Sequence, residues 1–176
     1  RIKVFDKAGN PGPLNTTLRA LLPPQARTIV QPRIRYDRLS GRWFVIARAT
    51  ECPLNNVLVA VSSGSAITGP ASFTFFSFVG DTGRMLTDPS LGVDRNAVYV
   101  GGVMMNCGGQ TQDASAFIVR KADLLTGTLT VTAFRSLPAD RLGVELARVT
   151  VEALRAATAA SGLTGAQFRF RGGWGG

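Results

Sequence analysis

Residues 31–50, QPRIRYDRLSGRWFVIARAT, decide how this chain is read. Ile34 and Tyr36 alternate with Arg33 and Arg35, the period of a half-buried strand. Asp37, Ser40 and Gly41 bring turn chemistry. Trp43, Phe44, Val45 and Ile46 then give an aromatic and β-branched run that suits a pleated, buried surface. The stretch therefore reads as strand, tight turn, strand.

A shortened copy follows. Pro32-x-Ile34-x-Tyr36-Asp37-Arg38 matches Pro89-x-Leu91-x-Val93-Asp94-Arg95 at an offset of 57 residues (89 − 32). Residues 96–104 stand where 42–49 stood, after a shorter turn. Each copy is followed by two more strand-sized segments. Residues 56–63 and 71–79 follow the first, and 115–121 and 128–135 the second. Residues 71–79 carry Phe73, Phe75 and Val79 on one parity and Phe76 and Phe78 near the other, which predicts cover on both faces. Residues 64–70 and 80–88 read as loops.

The amino-terminal piece fits the same frame. Ile2 and Val4 alternate, residues 7–12 are rich in breakers, and 14–22 reads as a second strand or a short helical turn. Lys3 to Lys7 resembles Phe117 to Lys121. The predicted organisation is a partial unit at 1–22, a full unit at 28–80 and a second at 87–135. Four short strands recurring every 40 to 60 residues or so are the signature of a β-propeller blade. The expected fold is mainly β: consecutive four-stranded antiparallel propeller-like blades, an incomplete propeller, with a C-terminal helix. The alternative is an antiparallel β-sandwich. The helix is expected between 140 and 160, where Leu142, Leu146, Val149, Ala153, Ala157 and Ala160 recur at helical spacing after Asp140, a residue suited to an N-cap. Residues 136–176 thus form a helical segment and a Gly- and Arg-rich tail.

Composition narrows the chemistry. An apolar share of 45% with 18% charged residues suits a globular chain rather than a disordered one. No apolar run has the length of a membrane-spanning helix. With no histidine, a Ser-His-Asp triad, a Cys-His pair and the usual His-bearing zinc sites are excluded within the chain. The net charge of +9 invites a polyanion partner. The arginines are dispersed and form no basic block, so a generally Arg-rich surface is expected and nucleic acid is not the expected partner. Cys52 and Cys107 each follow a long predicted strand. They suit either a disulfide in an exported protein or two buried thiols.

The acidic residues Asp37, Asp81, Asp88, Asp94 and Asp113 are the candidates for glycosidase-like chemistry, which needs two carboxylates flanking a sugar. Asp37 and Asp94 share one repeat position, and the structural role comes first: an Asp there accepts hydrogen bonds from turn backbone N–H groups. They are kept as candidate binding residues, with no catalytic set assigned. Gly101-Gly102 and Gly108-Gly109 match no phosphate-binding pattern and read as glycines of tight β connections. Asp88, Asp94, Asn96 and Asp113 form no Asp-x-Asp-x-Asp calcium loop. No metal or cofactor is expected.

The segments QPRIRYDRLSGRWFVIA, DPSLGVDRNAVYVGGVMM and RIKVFDKAGN resemble a group of bacterial exported proteins with predicted β-propeller repeats and no settled activity. That group tends to have an Asp-Pro, then Tyr-Asp, then Arg-Trp. The resemblance covers about residues 1–135. Beyond it the group runs into further blades, whereas this chain turns Ala-rich. Residues 37–43, DRLSGRW, also look like the Asp-box hairpin of sialidase-type propellers, where the hairpin is structural. The resemblance implies an exported protein. The start at Arg1, inside a strand-like segment and without a leader, reads as a fragment or a trimmed mature product. The expected function is a non-catalytic binding module presenting loops to a glycan or a protein, with self-association through exposed sheet edges. A glycoside-acting enzyme using the blade Asp residues and a polyanion binder are the alternatives.

Overall fold

The 31–50 stretch folds as read, with longer strands. A computed structural model describes residues 1–22, 28–51 and 54–137. β3 (Thr28–Asp37) and β4 (Arg42–Glu51) form a hairpin in which Ile34 faces Val45 and Tyr36 faces Trp43. β5 (Leu54–Ser62) and β6 (Phe73–Thr82) continue the meander into an antiparallel sheet of order β3-β4-β5-β6. β7 (Arg84–Val93), β8 (Ala97–Asn106), β9 (Thr111–Arg120) and β10 (Val131–Leu137) form a second four-stranded meander. β1 (Ile2–Phe5) and β2 (Pro11–Thr16) make a separate hairpin, followed by the one-turn α1 (Leu18–Leu21). The described residues all belong to one compact unit.

The two sheets share a pairing register. Ile34 opposite Val45 corresponds to Leu91 opposite Val100, and Val30 opposite Arg48 to Thr87 opposite Val103. The next pairs also correspond: Val45 with Ala60 and Val100 with Phe117, then Ala60 with Phe75 and Phe117 with Ala133. The first strands even bulge at the same place, between Val30 and Arg33 and between Thr87 and Ser90. Each bulge holds a non-glycine residue at positive φ followed by proline: Gln31 (51°) before Pro32, and Asp88 (47°) before Pro89. Proline has no N–H for a ladder, so within a sheet it belongs at an edge or a bulge. β3 and β7 are both edge strands.

Two apolar layers hold the unit together. Phe44, Ile46, Val57, Val59 and Val61 of the first sheet pack with Leu86, Val98, Val100, Met104, Phe117 and Val119 of the second. On the other face of the first sheet, Val45, Ala47, Ala49, Leu58, Ala60 and Phe73 pack with Leu14, Leu21 and Leu22 of the N-terminal hairpin and α1. The alternation of β4 therefore serves two cores, one per face. β6 is covered on both faces as expected: Phe73 and Phe75 join one layer, Phe76 and Phe78 the other.

Four expectations are corrected. Residues 80–88 are not a loop. β6 runs to Thr82, Gly83 turns at φ +74, and β7 begins at Arg84. Gly101 and Gly102 lie inside β8, not in a connection. A β-carbon on Gly102 would stand 2.6 Å from the Thr87 carbonyl oxygen and 2.8 Å from Leu86 Cδ1, so the glycine lets the β7 bulge close onto β8. Ile34 and Tyr36 are exposed rather than half-buried, because β3 is an edge strand and the hairpin layer covers β4 to β6 instead. Finally, residues after 120 enter a six-residue helix, α2 (Lys121–Thr126), that the strand pattern hid. Its Leu124 joins the inter-sheet core, and Gly127 closes it at φ +90. The helix expected at 140–160, the tail and Cys52 lie outside the described residues.

Candidate functional site

Asp37 ends β3, and its carboxylate builds the turn into β4. Oδ1 accepts from the Leu39 amide at 3.1 Å, and Oδ2 accepts from the Ser40 amide at 3.1 Å and the Ser40 hydroxyl at 2.5 Å. Gly41, at φ +66, closes the turn by donating its N–H to the Asp37 carbonyl. Asp94 does the same work in a shorter turn. Its Oδ1 accepts from the amides of Asn96 and Ala97, and Tyr99 donates its hydroxyl to Oδ2 at 3.0 Å. Both carboxylates thus satisfy turn amides, the role Asp favours where a chain reverses.

Lys121 joins the two positions. It sits at the end of β9, where α2 begins, and is 3% exposed. Its Nζ lies 2.5 Å from Asp37 Oδ2 and donates to the Asp94 carbonyl oxygen, also at 2.5 Å. One buried ammonium therefore ties the first turn of one sheet to the first turn of the other. Burial pushes the Asp37 carboxyl up. The hydrogen bonds from Lys121, Ser40 and Leu39 and the Lys121 charge more than reverse that, leaving it below the ordinary carboxylate range. Burial raises the Tyr99 phenol, and the charge and hydrogen bond of Asp94 raise it further. An Asp held ionised in this way is suited to an ion pair and not to donating a proton at neutral pH.

The remaining acidic candidates are each engaged by a neighbouring side chain. Asp88 sits on the β7 bulge, where its Oδ1 accepts from Gln31 Nε2 and its amide donates to Gln31 Oε1. Gln31 Oε1 also accepts from Arg48 Nε at 2.7 Å, so the two equivalent bulges are bonded to each other. Asp113 pairs with Arg84, which also approaches Asp81 at 3.8 Å. Among the described residues no group of three or more metal-ligating side chains is suited to a cation, and no helix is long and apolar enough to cross a membrane. Cys107 is disulfide-bonded. Cys52, the one other cysteine of the chain, is outside the described residues.

The surface carries one feature that the sequence reading missed. Ile34, Tyr36 and Leu39 are 52%, 41% and 67% exposed, and Arg33, Arg35 and Arg38 beside them are exposed too. The Tyr36 ring leans on Trp43 with centroids 4.8 Å apart, which holds it in place on the surface. Arg35 Nε donates to the Leu91 carbonyl of β7 and Arg33 Nη1 to the Pro32 carbonyl, leaving Arg38 as the freer charge of the stripe. Lys121 was missed as well. Its likeness to Lys7 at the end of a matching strand was visible, but its burial depends on how the two sheets dock. No family model, curated protein or solved structure matches this chain.

Proposed function

We propose that this chain is a non-catalytic binding module, part of an exported protein built on β-propeller-like blades, and that it presents the β3 stripe to a glycan or protein. The common register and bulges of the two meanders support the blade reading over a simple sandwich. One observation carries the binding reading: Ile34 and Tyr36 are exposed on one face of the edge strand β3, with Arg38 and Leu39 exposed in the turn that follows it. Aromatic and arginine side chains are what binding surfaces concentrate. The matching carboxylates are consumed by turns and by Lys121, which speaks against a glycoside-acting enzyme using Asp37.

The test presents the full chain to arrays of neutral and acidic glycans. The wild type is expected to bind, and Tyr36→Ala with Leu39→Ser is expected to weaken binding at least about tenfold, the loss of one well-packed anchor or more. A wild type that binds no glycan and no protein partner overturns the reading. The exposed arginines favour a second reading, a polyanion ligand. In that case affinity falls steeply with salt, and removing Arg33 or Arg38 lowers the log–log slope by about one each. Self-association through exposed sheet edges is proposed, with β6 and β10 the end strands outside the Gln31–Asp88 and Arg35–Leu91 bonds that join β3 to β7. Light scattering across concentrations tests it.

A further inference from the structure

At the end of the inter-sheet core away from Lys121, the apolar packing gives way to polar groups without partners. Asn55 of β5 is 1% exposed, and neither its Oδ1 nor its Nδ2 has a hydrogen-bond partner. Exchanging the amide oxygen and nitrogen does not help, because both positions are unpaired. Ser115 of β9 is 2% exposed, and its hydroxyl is unpaired too. Asp113 Oδ2 accepts from Arg84, and its buried Oδ1 is unpaired.

These atoms lie on strand faces that meet in the inter-sheet core. Asn55 shares the face of β5 that carries Val57, Val59 and Val61 into the inter-sheet core. Asp113 and Ser115 share the face of β9 that carries Phe117 and Val119 into the same core. Gly80 of β6 ties the two sides together. A β-carbon there would stand 3.1 Å from Asn55 Nδ2 and 3.4 Å from the Phe117 ring, and its carbonyl accepts from Arg135 of β10 at 3.0 Å.

The magnitudes decide what this means. Each buried unpaired group costs about 1–3 kcal/mol, so four reach about 4–12 kcal/mol. That approaches the whole stability of an ordinary domain, about 5–15 kcal/mol. The groups must therefore be satisfied by something. They offer one N–H donor group, two carbonyl or carboxylate acceptors and one hydroxyl that does either. A cation is disfavoured by the Asn55 N–H₂ and by Arg84 on the same carboxylate. Water both donates and accepts, and buried waters make about three such bonds.

We propose that Asn55, Ser115 and Asp113 form a buried water site that bridges the two sheets. The occupant is part of the fold, held between the start of β5 and the start of β9, and it stands in for direct bonds to the Asn55, Ser115 and Asp113 side chains.

The experiment is water-¹⁷O magnetic relaxation dispersion on the full chain, which counts water molecules held for longer than the protein tumbles. The wild type is expected to show at least one such water. Asn55→Leu combined with Ser115→Ala is expected to lower the dispersion amplitude by about one water, in line with the partners each site needs. Ser115→Ala alone deletes a single oxygen and serves if the double variant fails to fold. It is expected to keep one cooperative melting transition while the amplitude falls. A wild type without dispersion, or amplitudes unchanged in a folded variant, overturns the proposal.

Discussion

The Asp37–Lys121 pair shows how one side chain links two sheets and makes stability depend on pH. Removing one member of a buried pair strands the other charge, at about 3–5 kcal/mol. Asp37→Asn and Lys121→Met are therefore both expected to lower stability at pH 6 by about that amount, read by urea denaturation. The pH dependence follows from the direction of the shift. Asp37 titrates lower in the folded chain than its ordinary value of 3.8. Its contribution is fully present above that value and is lost as pH falls through the lower folded value. Between pH 6 and pH 3 the wild type should lose stability faster than Asp37→Asn, which has no proton to take up. Parallel stability–pH curves for the two proteins would contradict the pair. The Asp half of this arrangement was legible, since Asp before Ser-Gly is turn chemistry at any depth. Lys121 was not, because a lysine at the end of a strand is ordinarily solvated.

At the scale of elements, β7 and β8 show what a pattern of residue types conceals. Asp88-Pro89 looks like a breaker, and the sequence alone makes residues 80–88 a loop. Yet the chain keeps its ladder through the bulge, because an edge strand tolerates proline there. Gly102 is the counterpart of that bulge. Gly102→Ala places a methyl group against a backbone oxygen that has little room to retreat, so it should destabilise by about 1–3 kcal/mol. Gly64→Ala, where a β-carbon meets nothing within 4 Å, is the control and should lie within about 0.5 kcal/mol of wild type. Equal midpoints for the two variants in urea would show that the bulge does not press on β8. The exposure of Ile34 and Tyr36 has the same origin. Alternation reports which residues share a face, but whether that face is covered depends on which neighbour reaches it.

For the molecule as a whole, Cys107 is disulfide-bonded in a chain with one other cysteine. Cys107 is not expected to react with an alkylating agent until the chain is reduced. A disulfide typically contributes about 2–4 kcal/mol, so reduction should lower the melting temperature by several degrees. Alkylation of Cys107 in the unreduced, folded chain would contradict this.

What the amino-acid order determined by itself was local. Strand periods, turn residues and the spacing of 57 between two heptads placed eight strands in two sets of four, because each of those signals acts within a few residues of the chain. The tertiary structure decided the rest. Packing of one sheet on the other chose which apolar faces are buried, drew Lys121 to Asp37, bonded Gln31 to Asp88, and left Asn55 and Ser115 facing the interface without protein partners. Those are contacts between residues tens of positions apart. No local pattern encodes them, since their energy exists only once both surfaces have left water.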